Sequence, residues 1–385
     1  MDFLFVLCGN IMPVHLDHGI GYCRHEISDR GKMKKLHVAF AAAAAGSLLL
    51  AGCAASPTEE TAAPEAVVET VARVCVILPD ADVPRWETGD RPALEAGLIA
   101  AGFEVDIQNA LADTGRFATI ADAQLAQGCD VMVLTDHQGA GGAVTEKAQA
   151  AGVPVIAYDR PIAGADYYVS FDNFTVGALQ GQMIVDGLLA AGKDPATASI
   201  IYSSGDPADG NAAMFFAGAK SILDAAGATA AFTMEGTWDG AKAGTLFEQA
   251  FTAVGGNVDA VLAPNDNNAA SIISILDKNG LTIPVSGQDA SIAGLQNVLL
   301  GKQYGTVYKP FKVEVDAAIE VISALLSGRT VQANKSLEDG TPYIAVDPVI
   351  VTPANVKDVV ANGDASVAEL CTPAVAAACE ANGIG

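Results

Sequence analysis

Asp159 and Arg160 follow directly on Val155-Ile156-Ala157-Tyr158, an apolar run introduced by Gly152 and Pro154. Such a run has the signature of a buried strand. An ionised carboxylate offers acceptors only, and a guanidinium offers a planar fork of five donors. Side by side at a strand end, they suit a small uncharged ligand dense in hydroxyls, meaning a sugar. For these two residues alone, a surface salt bridge is an equally good explanation. Polar clusters end other apolar runs too: Asp80, Asp82, Arg85 and Trp86; Ser203-Ser204-Gly205-Asp206 through Asn211; Gly236-Thr237-Trp238-Asp239; Pro264-Asn265-Asp266-Asn267-Asn268; Gly287-Gln288-Asp289; and Tyr308-Lys309. Any one of them is ordinarily a turn or a helix N-cap, and Asp172 and Asn173 are read that way. Their recurrence carries the functional reading. Ligands of open α/β sheets sit outside the carboxyl ends of the strands. Two such rims facing each other would grip adjacent hydroxyls bidentately, with a Trp face against the C–H side of a pyranose.

The elements that must position these clusters alternate along the chain. Strands are expected at Val74–Leu78, Phe103–Ile107, Val131–Leu134 and Val155–Tyr158, with helices between them at Pro92–Ala101, Ile120–Gln127 and Ala143–Ala151. Pro84 to Asp90 reads as a loop. After Asn173 the grammar restarts: helices at Val176–Ala190, Asn211–Ala226, Ala241–Ala253, Ala269–Lys278 and Ile292–Leu300 alternate with strands at Ala198–Tyr202, Thr229–Met234, Ala260–Ala263, Ile283–Ser286 and Gly305–Tyr308. A helix at Val313–Leu326 and an extended segment at Tyr343–Val351 close the pattern. Strand–helix units of this length imply parallel sheets with right-handed crossovers. The fold class is α/β, and 385 residues imply two domains.

The net charge of −24 argues against nucleic acid as a partner, because phosphate neutralisation needs Lys and Arg. Met33-Lys34-Lys35 opens a signal segment with an apolar run from Val38 to Leu50, too short to span a bilayer comfortably. Residues 1–32 lack any such logic, and translation is expected to begin at Met33. Removal of residues 1–52, with five basic and four acidic side chains, leaves 16 Lys+Arg against 41 Asp+Glu, a net charge of −25. Of the five His only His137 survives, which leaves no basis for a His-ligated metal site or a Ser-His-Asp triad. No cofactor and no metal is expected. Ala54 to Ala72 reads as a solvated tether, spanning roughly 25 Å as a flexible coil. Export places the remaining cysteines in an oxidising compartment. Cys75 and Cys129 begin strands that should be neighbours, and Cys371 and Cys379 flank an Ala-rich segment. Disulfides Cys75–Cys129 and Cys371–Cys379 are predicted, with four buried free thiols as the alternative.

Leu50-Ala51-Gly52-Cys53 resembles the lipobox of bacterial lipoproteins, which implies acylation of Cys53 and a protein anchored extracytoplasmically to the cell membrane. Tyr158-Asp159-Arg160, Ser170-Phe171-Asp172-Asn173, Asn265-Asp266, Ser286-Gly287-Gln288-Asp289-Ala290 and Thr306-Val307-Tyr308-Lys309-Pro310 resemble bacterial D-xylose-binding and multiple-sugar-binding proteins of the type 1 periplasmic binding fold, over about residues 73–360. The resemblance implies two Rossmann-like lobes joined by three crossings, near Ser170–Asn173, Tyr308–Pro310 and Tyr343–Val351. Residues 73–172 with 309–342 would form the first lobe, 173–308 with 343–360 the second, and 361–385 a C-terminal tail. It implies sugar contacts at Arg85, Asp159, Arg160, Asn211, Trp238, Asn265, Asp289 and Lys309, to which the polar clusters add Trp86 and Asp266. Gly210 stands where xylose binders often carry a second Asn, and the first loop lacks their extra basic residue. Both departures bear on xylose itself more than on an aldose in general.

The expected function is a non-enzymatic solute-binding protein: a monomer that closes on one monosaccharide, xylose or another aldose, and delivers it to an ATP-binding-cassette permease. A sugar sensor presenting its closed form to a receptor kinase or chemoreceptor is the alternative. An enzyme is disfavoured, since Gly139-Ala140-Gly141-Gly142 lacks the dinucleotide spacing and Gly187 to Lys193 ends a helix instead of starting one. His137 reads as a loop polar group.

Overall fold

The computed structural model describes residues 71–385. Met33, the signal segment, Cys53 and nearly all of the tether lie outside the described residues.

The chain opens with β1 (Arg73–Leu78), α1 (Arg91–Ala100), β2 (Glu104–Asn109), α2 (Thr114–Ala126), β3 (Val131–Leu134), α3 (Ala140–Ala150), β4 (Val155–Tyr158) and β5 (Tyr167–Phe171). It continues through α4 (Asn173–Ala190), β6 (Ile200–Tyr202), α5 (Gly210–Ala225), β7 (Ala230–Thr233), α6 (Gly240–Ala253), β8 (Ala260–Leu262), α7 (Asp266–Lys278), α8 (Ile292–Leu299) and β9 (Thr306–Tyr308). The last elements are α9 (Phe311–Leu326), β10 (Lys335–Ser336), β11 (Pro342–Val346), β12 (Val349–Val351), α10 (Val356–Ala361), α11 (Val367–Leu370) and α12 (Ala376–Ala381).

Strand β1 shows why the first lobe is doubly wound. Its side chains alternate between faces. Val74, Val76 and Leu78 pack with Leu94 and Leu98 of α1 and Val315 and Ile322 of α9, while Cys75 and Ile77 pack with Phe117 of α2 and Val144 of α3. Both faces are therefore buried, which is what a continuous apolar run in a parallel sheet requires. The sheet order is β10-β11-β5-β4-β3-β1-β2, parallel except for β10. Cys75 is paired with Cys129 beside this sheet.

The second lobe is less continuous. Its three-stranded sheet, β7-β6-β8, extends through single bridges, Val261 to Val285 and Gln288 to Val307, to the antiparallel pair β9 and β12. The strand expected at Ile283–Ser286 shrinks to that one bridge. Pro284 has no N–H to donate, so only its carbonyl joins the ladder, accepting from Val261.

Several expectations shift. Trp86–Asp90 is a single π-helical turn running into α1, not a loop. Helix α2 starts six residues earlier than its apolar pattern suggests, because Asp113 caps it by accepting from the Arg116 amide. The segment expected to belong entirely to the second lobe is split: β11 pairs with β5 of the first sheet, Tyr343 opposite Tyr168, and the chain changes lobes at Asp347-Pro348 before β12. Residues 361–385 are no loose tail. Leu370, Val375, Cys379 and Ile384 pack against Leu295 and Val298 of α8, with Cys371 and Cys379 paired.

Candidate functional site

The carboxyl ends of the two sheets face one another, and the side chains between them enclose an inner cavity. Arg85, Trp86, Asp159, Arg160, Asn211, Trp238, Asn265, Asp289 and Lys309 all line it. Asp209 and Gln288, which belong to the polar clusters but not to the expected contacts, join them, as do Val83 and Phe215, which the sequence did not single out. Phe215 stands four positions after Asn211 on α5, so the helical spacing already placed it on the same face.

The first lobe supplies charge. The Arg85 Nε and Nη2 donate to the two Asp90 oxygens, each at 2.7 Å. Nη2 also donates to Glu314 of α9 at 3.2 Å. That leaves Nη1, which lies 2.8 Å from Asp159 Oδ2 and 3.6 Å from Asp289 Oδ1. Neither contact has hydrogen-bond alignment, since Nη1, Asp159 Oδ2 and Asp289 Oδ1 all count as buried atoms with no directional partner. The Lys309 ammonium completes the cluster, 2.9 Å from Asp289 and 3.7 Å from Asp159. Burial acts to raise the Asp159 pKa, but Arg85, Lys309 and Arg160 together hold it below the ordinary carboxylate value. Burial pushes Asp90 up, and Glu314 well up, despite Arg85 beside them. Trp86 is flanked by two guanidinium groups, Arg85 at 4.6 Å and Arg160 at 5.1 Å from its ring centre.

Both key carboxylates stand on left-handed backbone, Asp159 at φ 59° and Asp289 at φ 88°. Non-glycine residues are held there only when their surroundings over-determine the geometry. For Asp159, the carbonyl accepts from Tyr168 Oη, Ser170 Oγ and, across the lobes, Asn211 Nδ2. For Asp289, the amide donates to the Val307 carbonyl, and the next amide donates to Thr306 Oγ1.

The second lobe supplies helix starts. Asp209 caps α5, Asp239 caps α6 and Asn265 caps α7, each accepting from backbone amides of the first turn. Trp238 donates from Nε1 to Asp209 and lies so close to Gly205 that a Cβ there would sit 2.1 Å from the indole. Asp266, expected among the ligand contacts, is not brought to the inner cavity. It is the first residue of α7, and its carboxylate turns into the second lobe, accepting from Gln303, Thr306 and the Ser291 amide. Asn265, one position earlier, caps the helix by accepting from the Asn268 amide.

Five residues lining the cavity carry a buried side-chain atom that makes no hydrogen bond among the described residues. Two are donors, Arg85 Nη1 and Trp86 Nε1; three are acceptors, Asp159 Oδ2, Gln288 Oε1 and Asp289 Oδ1. Native interiors leave few such groups. Their concentration here marks a place for a ligand that both donates and accepts.

The periplasmic binding protein domain model matches residues 74–330. A D-xylose-binding periplasmic protein of Haemophilus influenzae is 33% identical over 301 residues, covering 75% of this chain and 88% of that protein. A multiple sugar-binding periplasmic protein of Azospirillum brasilense is 34% identical, covering 74% and 87%. The crystal structure of a carbohydrate-transporter solute-binding protein from Chloroflexus aurantiacus, in complex with D-glucose, superposes with a TM-score of 0.70 at 30% identity, covering 78% of this chain and 98% of that one. The relatives are binding proteins rather than enzymes, and by this match the chain belongs to the periplasmic binding protein domain family.

Proposed function

We propose that this chain is an extracytoplasmic solute-binding protein that closes on one neutral monosaccharide, an aldose such as xylose or glucose, and hands it to an ATP-binding-cassette permease. The observation that carries the reading is the set of five buried donors and acceptors around the inner cavity that make no aligned hydrogen bond, three of them held only by ion contacts. A hydroxyl is donor and acceptor at once, so a polyol matches a mixed set where a pure anion or a pure cation does not. The sugar would take over contacts that Arg85, Asp159, Asp289 and Lys309 make with one another. Arg85 and Asp159 belong to one lobe and Asp289 to the other, so a ring bound among them favours the closed form. That is the state a permease would recognise. The names of the relatives support the sugar class. The Leu-Ala-Gly-Cys stretch ending at Cys53 supports a lipid anchor.

Calorimetric titration of the purified chain with a panel of aldopentoses and aldohexoses tests this. Binding of at least one at micromolar affinity, about −8 kcal/mol, is expected. Absence of binding across the panel would refute it. Labelled palmitate should enter the wild-type chain, and not Cys53→Ser, when each is expressed in a bacterium.

A further inference from the structure

Outside the inner cavity the cleft widens into a second chamber. Its free volume is about 520 Å³, against about 20 Å³ for the inner cavity. The two share only Val83, Arg160, Asp209 and Trp238 in their walls. Three of these form one polar partition. A single oxygen, Asp209 Oδ2, meets Arg160 Nε at 3.2 Å and accepts from Trp238 Nε1 at 3.1 Å. Arg160 is fixed from its own lobe by Asp80 at 3.5 Å and by the Asp136 carbonyl at 3.0 Å. Arg160 and Asp209 are both buried, at 6% and 8% exposure, so the pair is shielded from water and from screening salt. It also joins the lobes, since Arg160 follows β4 and Asp209 caps α5.

We propose that this partition limits the cleft to a single sugar ring, and that Asp209 is its specificity-determining residue. The inference rests on the sugar-binding reading above and deepens it, by naming the residue that holds the ligand to one ring. A hydroxyl of a single ring can meet Arg160 or Trp238 from within. A glycosidic substituent at that position would have to pass through the point where Arg160, Asp209 and Trp238 converge. Beyond it lies ample room and a suitable lining. The chamber presents Asp113, Asp136, Asp239, Thr114, Thr237 and Gln138, whose carboxylates, hydroxyls and amide can receive a second ring. The barrier is therefore the partition, not a lack of space. Opposite the partition, Gln138 donates to Asp206 across the lobes at an exposed position, a contact easily opened.

The discriminating substitution is Asp209→Ser. Serine still caps α5, but it can neither pair with Arg160 nor reach Trp238 as the carboxylate does. Calorimetry on the full chain would compare xylose with xylobiose, and glucose with maltose and cellobiose. In the wild type the monosaccharide of the preferred series should bind at least about 100-fold tighter than its disaccharides. In Asp209→Ser the monosaccharide should weaken while a disaccharide strengthens, so that this ratio falls at least tenfold. A purely structural role would weaken both ligands alike and leave the ratio unchanged, which would overturn the proposal. Wild-type binding of a disaccharide as tight as that of the monosaccharide would overturn it as well. A wild-type chain that binds none of these sugars would instead remove the sugar-binding reading, and this inference with it.

Discussion

The two walls of the cleft are built by different physics. On the first-lobe wall, Arg85 is surrounded by Asp90, Glu314 and Asp159, all buried, with the Tyr158 hydroxyl donating to Asp90 at 2.9 Å. Removal of Arg85 would leave these carboxyl groups without their shared cation in a medium of low dielectric. On the second-lobe wall, Asp209, Asp239 and Asn265 stand at helix N-termini, where the partial positive charge of the helix and free amides stabilise an acceptor. These groups are anchored locally, each by its own helix. The first wall is thus a buried charge cluster, and the second a row of capped helix starts cross-linked by Trp238 and Asn268. Substitutions in the first should damage folding, and substitutions in the second should damage binding or one helix alone.

The largest effect that would separate the walls is Arg85→Met. It leaves Asp90, Glu314 and Asp159 without their shared counter-charge, and a broken buried ion pair of this kind costs roughly 3–5 kcal/mol. Urea denaturation should show that loss before any ligand is added; an unchanged midpoint would dissolve the distinction. Next comes Asp289→Ala. Lys309 keeps Asp159 at 3.7 Å as a counter-charge, so the urea midpoint should move less than in Arg85→Met while sugar affinity falls about 100-fold, or ~2.7 kcal/mol. Smaller still is Asp239→Ala, which strips a cap that accepts from the amides of Ala241 and Lys242. Stability should drop by ~1 kcal/mol with monosaccharide affinity unaltered.

The smallest effect is the dependence on pH. Burial raises Asp209 to about 6 and Asp266 to about 7, so the native fold binds protons at these sites more readily than the unfolded chain does. Stability from these groups is full below the unfolded value and is lost as pH rises through their native values. Thermal unfolding temperature should therefore rise as pH is lowered from about 7.5 toward 4.5. It should turn down again below about pH 4, where the unfolded chain takes up protons at Asp339, held below its ordinary value in the native fold by the Thr341 amide, and at Asp172, held down chiefly by Lys335 against the effect of burial. Asp266→Asn should flatten the upper part of that profile.

Much of the site is legible in the chain because strand ends announce themselves. An apolar run that stops at Asp159-Arg160 or at Asn265 puts those residues at the carboxyl edge of a sheet whatever the tertiary detail. What is not legible is who holds them. Glu314 reads as an ordinary residue of a helix, and its bond to Arg85 spans 229 positions. Asp90 reads as the end of a loop, whereas a π-helical turn carries it beneath Arg85. Neighbouring polar residues such as Asn265-Asp266 pose a further ambiguity, because a helix start turns one side chain to the cleft and the next into the lobe. Only the positions of Gln303, Thr306 and Ser291 decide that Asp266 is the inward one. The third crossing did carry a local sign. Asp347-Pro348 is a turn signal inside the extended segment, and it marks where the chain leaves β11 for β12.

A crystal structure of the chain grown with its tightest-binding aldose tests the central claim most directly. One sugar ring should lie between Trp86 on one side and Phe215 and Trp238 on the other, its hydroxyls at hydrogen-bond distance from Arg85, Asp159, Asn265, Asp289 and Lys309. A ring seated in the outer chamber between Asp113 and Asp239, with Arg85 and Lys309 still paired to Asp159 and Asp289, would contradict the account.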